Sequence, residues 1–286
     1  MLRDIHSIRI EEGAVMKTLR KVLIAASLVL FAAGSAWAVR GPQGVEYTVH
    51  NLSANMGGIA NPNFQYATNE DEICIFCHTP HGGTLDGPLW NRSLPGATSF
   101  THYNSATLTT AAGDTTRPVS KESLLCLSCH DGSIATNRII NPSNSNPNGQ
   151  PLPNWGSDVY VVGGFGEAGP RIGATAADTG ATGDLSDDHP ISFSYYDAYT
   201  EESAQPDGGG LRAPADALTR GVRFFGAGAT SGGMRVECSS CHDPHVSYDG
   251  YWATTSGLSY TYDASYAPFL ITPNTGSALC LACHVK

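Results

Sequence analysis

The chain has 286 residues, with 16 Lys and Arg against 26 Asp and Glu, and it carries 32 Gly and 17 Pro. A formal charge of −10 with only 15% charged residues excludes a nucleic-acid partner, which needs clustered Lys and Arg. So much Gly and Pro predicts a loop-rich chain with little regular core.

Met16-Lys17-Thr18-Leu19-Arg20-Lys21 is a basic segment followed by an apolar run at residues 22–33 and by Ala36-Trp37-Ala38, a small-x-small cleavage site. The run is shorter than the roughly 18 apolar residues a bilayer span takes. Residues 1–38 read as an upstream extension plus a removed signal peptide, and residues 39–286 as a single domain exported through the periplasm. Without the leader the chain keeps 11 basic and 23 acidic side chains, a net charge of −12.

All eight cysteines fall in four Cys-x-x-Cys-His units: Cys74-Ile-Phe-Cys77-His78, Cys126-Leu-Ser-Cys129-His130, Cys238-Ser-Ser-Cys241-His242 and Cys280-Leu-Ala-Cys283-His284. On a helical turn, residues i, i+3 and i+4 share a face. Two thiols so placed add to the two vinyl groups on one haem edge, and the next imidazole reaches the iron from the same side. This is the signature of covalent c-type haem attachment. Zinc sites need no His directly after each second Cys, and a redox dithiol comes once rather than four times. Four haem c groups, each with its iron, are expected, with His78, His130, His242 and His284 as proximal ligands.

Outside the leader, five further histidines remain for the four second axial positions: His50, His81, His102, His189 and His245. A second His on every iron gives six-coordinate, low-spin centres suited to electron transfer; an open iron would favour catalysis. His81 and His245 each follow a proximal His by three residues, in His-Thr-Pro-His and His-Asp-Pro-His. Three residues reach at most about 10–11 Å, too short to round a porphyrin edge, so as ligands each would serve a neighbouring haem; the alternative is a surface imidazole near a propionate. His189 sits beside Asp188, whose carboxylate would orient a ligating ring. His50 is a further ligand candidate, whereas His102 lacks a flanking Pro or carboxylate and reads as non-ligating.

Motif starts are separated by 52, 112 and 42 residues, which suggests haem pairs at 74–130 and 238–284 around an insert at 141–235. Asn69-Glu70-Asp71-Glu72, Ser120-Lys121-Glu122 and Thr275-Gly276-Ser277 predict short helices leading into the first, second and fourth motifs. Met234-Arg235-Val236-Glu237 reads as extended before the third. The insert holds 25 Gly and Pro in 95 residues and reads as a long ordered loop over haem faces, with short strands at residues 159–162 and 222–225.

Ile73-Cys74-Ile75-Phe76-Cys77-His78-Thr79-Pro80-His81, Leu125 to Gly132, Asp188-His189-Pro190, Glu237 to His245 and the terminal Leu279 to His284 together resemble the OmcE-like outer-surface tetrahaem c-type cytochromes of metal-reducing bacteria. The resemblance is weak across the insert. It implies a multihaem cytochrome c fold: mostly irregular loops, with a few short helices and minor strands, wrapped around four covalently bound haems. It also implies bis-His ligation and head-to-tail polymerisation into a conductive filament, a cytochrome nanowire. One distal ligand then crosses the subunit boundary; by position His50 would be that donor, with His81, His189 and His245 serving within the chain. The expected function is extracellular electron transfer to metal oxides or partner cytochromes, not enzymatic turnover. A soluble periplasmic shuttle and a multihaem reductase with one open haem are the alternatives.

Overall fold

The computed structural model describes residues 45, 48, 50–53, 66–67, 70–84, 87–98, 100–131, 139–141, 161–162, 172, 183–206, 208–228, 230–245, 251–254, 257–260, 264–266 and 269–285. The chain divides into two units, Met1–Arg40 and Gly41–Lys286, and every described residue lies in the second. The leader at residues 1–38, Asn69 and most of residues 142–182 lie outside the described set. Among the described residues, no helix is long and apolar enough to cross a membrane.

Regular structure is short and local. Strands come as two-residue pairs: β1 (Tyr66–Ala67) runs antiparallel to β3 (Val161–Val162), and β2 (Thr101–His102) parallel to β4 (Asp184–Leu185). β5 (Phe193–Ser194) runs antiparallel to β6 (Arg235–Val236). A hairpin of β7 (Tyr251–Thr254) and β8 (Gly257–Tyr260) completes the described strands. The helices are α1 (Thr110–Gly113), α2 (Lys121–His130), α3 (Tyr195–Ser203), α4 (Pro214–Thr219) and α5 (Cys280–Cys283).

The lead-ins to the four motifs differ. The second motif ends α2, which starts after Ser120 with Glu122 in its first turn. The first motif lies on a bare 3-10 turn, Ile73–Phe76, so the helix expected from the acidic residues before it is absent. A second 3-10 turn, Thr275–Ser277, precedes α5. The third motif follows extended β6 and forms the 3-10 turn Cys238–Ser240. In the first, third and fourth motifs the proximal His donates its backbone N–H to the first Cys carbonyl, at 2.7, 3.1 and 2.9 Å, closing one α-type turn.

The insert is not a loop throughout. Ser194 caps α3 by accepting from Asp197 N at 3.1 Å, and Pro214 opens α4, where its missing N–H costs nothing. With Phe193, Tyr195, Ala198, Ala217, Val222 and Val236 this region forms one apolar cluster with Ala112 of α1 and Ala282 of α5. The strand expected at residues 222–225 is reduced to a single bridge between Phe225 and Arg235. Two smaller clusters form around Ile75, Phe76 and Ile139, and around Phe100, Val119, Leu124, Leu127 and Leu185. A typical domain has one contiguous core; here apolar burial is divided among the segments that carry the motifs.

A buried carboxylate ties the second motif to the third. Glu237 Oε2 accepts from Ser123 Oγ of α2 at 2.6 Å and from Ser192 Oγ at 2.8 Å. Ser123 Oγ in turn accepts from Cys238 N at 3.1 Å, and Arg235 approaches Glu237 Oε1 at 3.4 Å. Removing this carboxylate takes an acceptor from two hydroxyls and the counter-charge from Arg235, which keeps its 2.6 Å bond to Ser192 O, at roughly 1–3 kcal/mol. Glu237→Ala is expected to lower the free energy of unfolding by that amount, read by denaturant titration with far-UV circular dichroism. A change below about 1 kcal/mol would show the hub to be dispensable.

Candidate haem centres

Three of the four motifs are held by the same backbone clip. In the first, Thr79 N donates to Leu89 O at 2.9 Å and Asn91 N to Cys77 O at 2.9 Å, on either side of the His78–Trp90 bridge. In the third, Asp243 N donates to Phe269 O at 2.9 Å and Ile271 N to Cys241 O at 2.8 Å, around His242–Leu270. In the fourth, Val285 N donates to Gly210 O and Arg212 N to Cys283 O, each at 2.7 Å, around His284–Leu211. Leu89 and Phe269, which provide the first clip carbonyl, hold φ of 56° and 55°, a left-handed conformation that is uncommon for such side chains. The clip fixes the backbone of each proximal His and so the direction in which its ring leaves the chain.

Beyond the clips, the rings come in facing pairs. His78 faces His245, with ring centroids 6.3 Å apart and an interplanar angle of 17°. His130 meets His50 edge-on at 6.2 Å and 68°, and His284 meets His189 edge-on at 6.5 Å and 69°. Each pair joins one motif histidine to one histidine from elsewhere. Two imidazoles on opposite sides of one metal, with metal–nitrogen bonds of about 2 Å, hold their centroids about 6 Å apart. The three centroid separations are of that size. Among the described residues, no group of three or more His, Cys, Asp or Glu is arranged to chelate a metal ion.

Hydrogen bonds also select the tautomer a ligand needs. His78 Nδ1 lies 2.8 Å from Pro88 O, and His189 Nδ1 lies 2.8 Å from Pro190 O. A carbonyl only accepts, so Nδ1 carries the proton and Nε2 keeps its lone pair for a metal. His245 Nδ1 is 3.0 Å from Asp243 Oδ1. Burial pushes the Asp243 carboxyl up, but hydrogen bonds from His245 and Arg223 outweigh it and hold the carboxyl well below the usual range. The expectation that Asp188 orients His189 is corrected: the Pro190 carbonyl does.

His50 is enclosed within its own chain. Burial, followed by the nearby imidazoles of His130, His245 and His242, lowers its pKa to about 4, so it is a neutral base at neutral pH. Its ring also meets Phe269 edge-on, with centroids 4.6 Å apart. Within the chain its ring lies near that of His130, with centroids 6.2 Å apart. His81 is exposed and faces no other imidazole among the described residues. His102 is buried with Nε2 2.9 Å from Arg117 O, a donor role that engages the nitrogen a metal would take.

The thiols run from motif to motif. All eight are free. Burial and then Cys129 push the Cys77 thiol up to about 12, while burial and then Cys283 do the same for Cys241. Cys126 and Cys238 share a hydrogen bond that raises the first and lowers the second. That hydrogen bond joins the second motif to the third. Sequence reasoning missed the clips, although Gly87-Pro88-Leu89-Trp90 and Ala267-Pro268-Phe269-Leu270 echo each other after the two His-x-Pro-His motifs.

No protein-family model matches the chain, and no curated protein matches it.

If Asp243 holds His245 as a ligand, Asp243→Ala frees its ring. The ferrous holoprotein of that variant is expected to bind carbon monoxide at one haem, as His245→Met does more weakly, while the unaltered chain binds none there. Equal carbon monoxide uptake by all three would remove His245 from the ligand set.

Proposed function

We propose that this chain is an exported tetrahaem c-type cytochrome that carries electrons to extracellular acceptors, and that it does so as a polymer of itself. The observation that carries the reading is the set of three facing imidazole pairs, each combining a motif histidine with a second one at the separation an iron requires.

Bound haem supplies one-electron iron chemistry at each motif. The chain's own residues do the rest. Cys74, Cys77, Cys126, Cys129, Cys238, Cys241, Cys280 and Cys283 would hold the macrocycles. His78 with His245, His130 with His50, and His284 with His189 would hold three of the irons and leave them no room for substrate. The Pro88 and Pro190 carbonyls and the Asp243 carboxylate engage Nδ1, which leaves Nε2 with its lone pair for a metal.

Polymerisation enters through His81, which is exposed and faces no other imidazole among the described residues. His81 of one copy would be donated to a haem of the next, a heterologous contact that propagates as a filament rather than closing. The net charge of −12, made more negative by haem propionates, favours salt-dependent contact with basic partner cytochromes or mineral oxides.

The test is negative-stain electron microscopy of protein sheared from cells, with an absorption spectrum of the same sample. Filaments with wholly low-spin haem are expected, and His81→Ala should give dispersed particles with one high-spin haem per chain. Dispersed wild-type particles with wholly low-spin haem mean a soluble shuttle and end the filament reading. A high-spin haem persisting in wild-type protein turns the assignment towards a reductase.

A further inference from the structure

His102 and Arg117 are buried, at 4% and 8% exposure, and together they hold both ends of the segment that carries His189. At its upstream end, His102 of β2 lies opposite Leu185 of β4. At its downstream end, Arg117 Nε donates to Ile191 O at 2.8 Å. The two anchors are joined, because His102 Nε2 donates to Arg117 O at 2.9 Å. Arg117 is in turn fixed to the end of α1, its Nη1 donating to Ala112 O at 2.8 Å and to Asp114 O. Leu185 and Ile191 also pack into one apolar cluster with Phe100 and Val119, which flank His102 and Arg117 in the chain. Ser192 N bonds to Val236 O one residue further on, so Arg117 is the hold nearer to His189.

Only Ser186 to Pro190 lie between these anchors. The His189 ring is bonded to Pro190 O inside that same short segment, which orients the ring on the segment but not the segment in the molecule. The approach of His189 to His284, at 6.5 Å between centroids, therefore depends on where the two ends are held. We propose that His102 and Arg117 form a staple that presents His189 to the iron of the fourth motif. The proposal rests on the reading of His189 and His284 as an axial pair. A ligand on a segment with fixed ends loses less conformational freedom on binding a metal than one on a free chain. Both members of the staple are positioning residues, and His102 holds no iron itself.

The test is a carbon monoxide titration of the purified ferrous holoprotein, with haem content measured by the pyridine haemochrome. Arg117→Met is expected to bind one carbon monoxide per chain more than the unaltered protein, as His189→Ala does, and the double variant no more than either. His102→Gln, whose amide still donates to the Arg117 carbonyl, binds no more than the unaltered protein. Full haem content in Arg117→Met without added uptake, while His189→Ala does show it, overturns the staple alone. Uptake by the double variant beyond that of His189→Ala overturns it as well, since Arg117 would then be loosening other centres. Added uptake by His102→Gln makes His102 a ligand and overturns the proposal too. Should Arg117→Met not mature, His102→Leu, which removes the donor alone, is read by the same criteria. No added uptake in His189→Ala defeats the axial pair, and the staple falls with it.

Discussion

A five-residue turn, closed by a hydrogen bond from the histidine N–H to the first cysteine carbonyl, decides where each candidate ligand points. One turn alone is a poor structural unit, because forming it orders several residues for very few hydrogen bonds. The first, third and fourth motifs overcome this with two further backbone bonds to a clip from elsewhere in the chain. The second uses a longer helix instead, with Leu124 and Leu127 buried. Each solution holds the turn without a large core, which this composition does not supply.

The clips explain why apolar burial is scattered. Each cluster stands behind a motif: Ile75 and Phe76 lie within the first, Leu124 and Leu127 beside the second, and Ala282 within the fourth, against the α3 and α4 region. Glu237 does by polar contact what those clusters do by packing, holding α2 and the third motif together through Ser123. Tyr195 adds another fastening, donating to Arg212 O and Cys283 O at 2.8 and 3.1 Å. Burial, followed by Cys283, raises its phenol pKa and keeps it a donor.

The four Cys-x-x-Cys-His turns were legible in the sequence because residues i, i+3 and i+4 share a face of one turn. Extended residues before Cys238 and a helix before Cys126 were legible too, from local pattern. Reach alone separated His245 from His242, and the ring that faces His245 is His78. The partner of His50 was not legible, since nothing near residue 50 encodes proximity to residue 130. The helices of the insert were hidden by surrounding glycines, although Ser194 with Asp197 three residues on is a capping pattern. The clips were hidden for a different reason: a backbone bridge leaves little trace in side-chain identity.

The facing of His78 and His245 also bears on the order of events during synthesis. A chain is made N-terminus first, so His50 already exists when His130 appears, and His189 precedes His284. His78 alone among these three must wait for a ring that comes long after it. Under the proposed ligation, the first iron to be anchored stays open on one face until the third motif has emerged. Maturation under that ligation would run through a stage with an exposed, ligand-accessible centre.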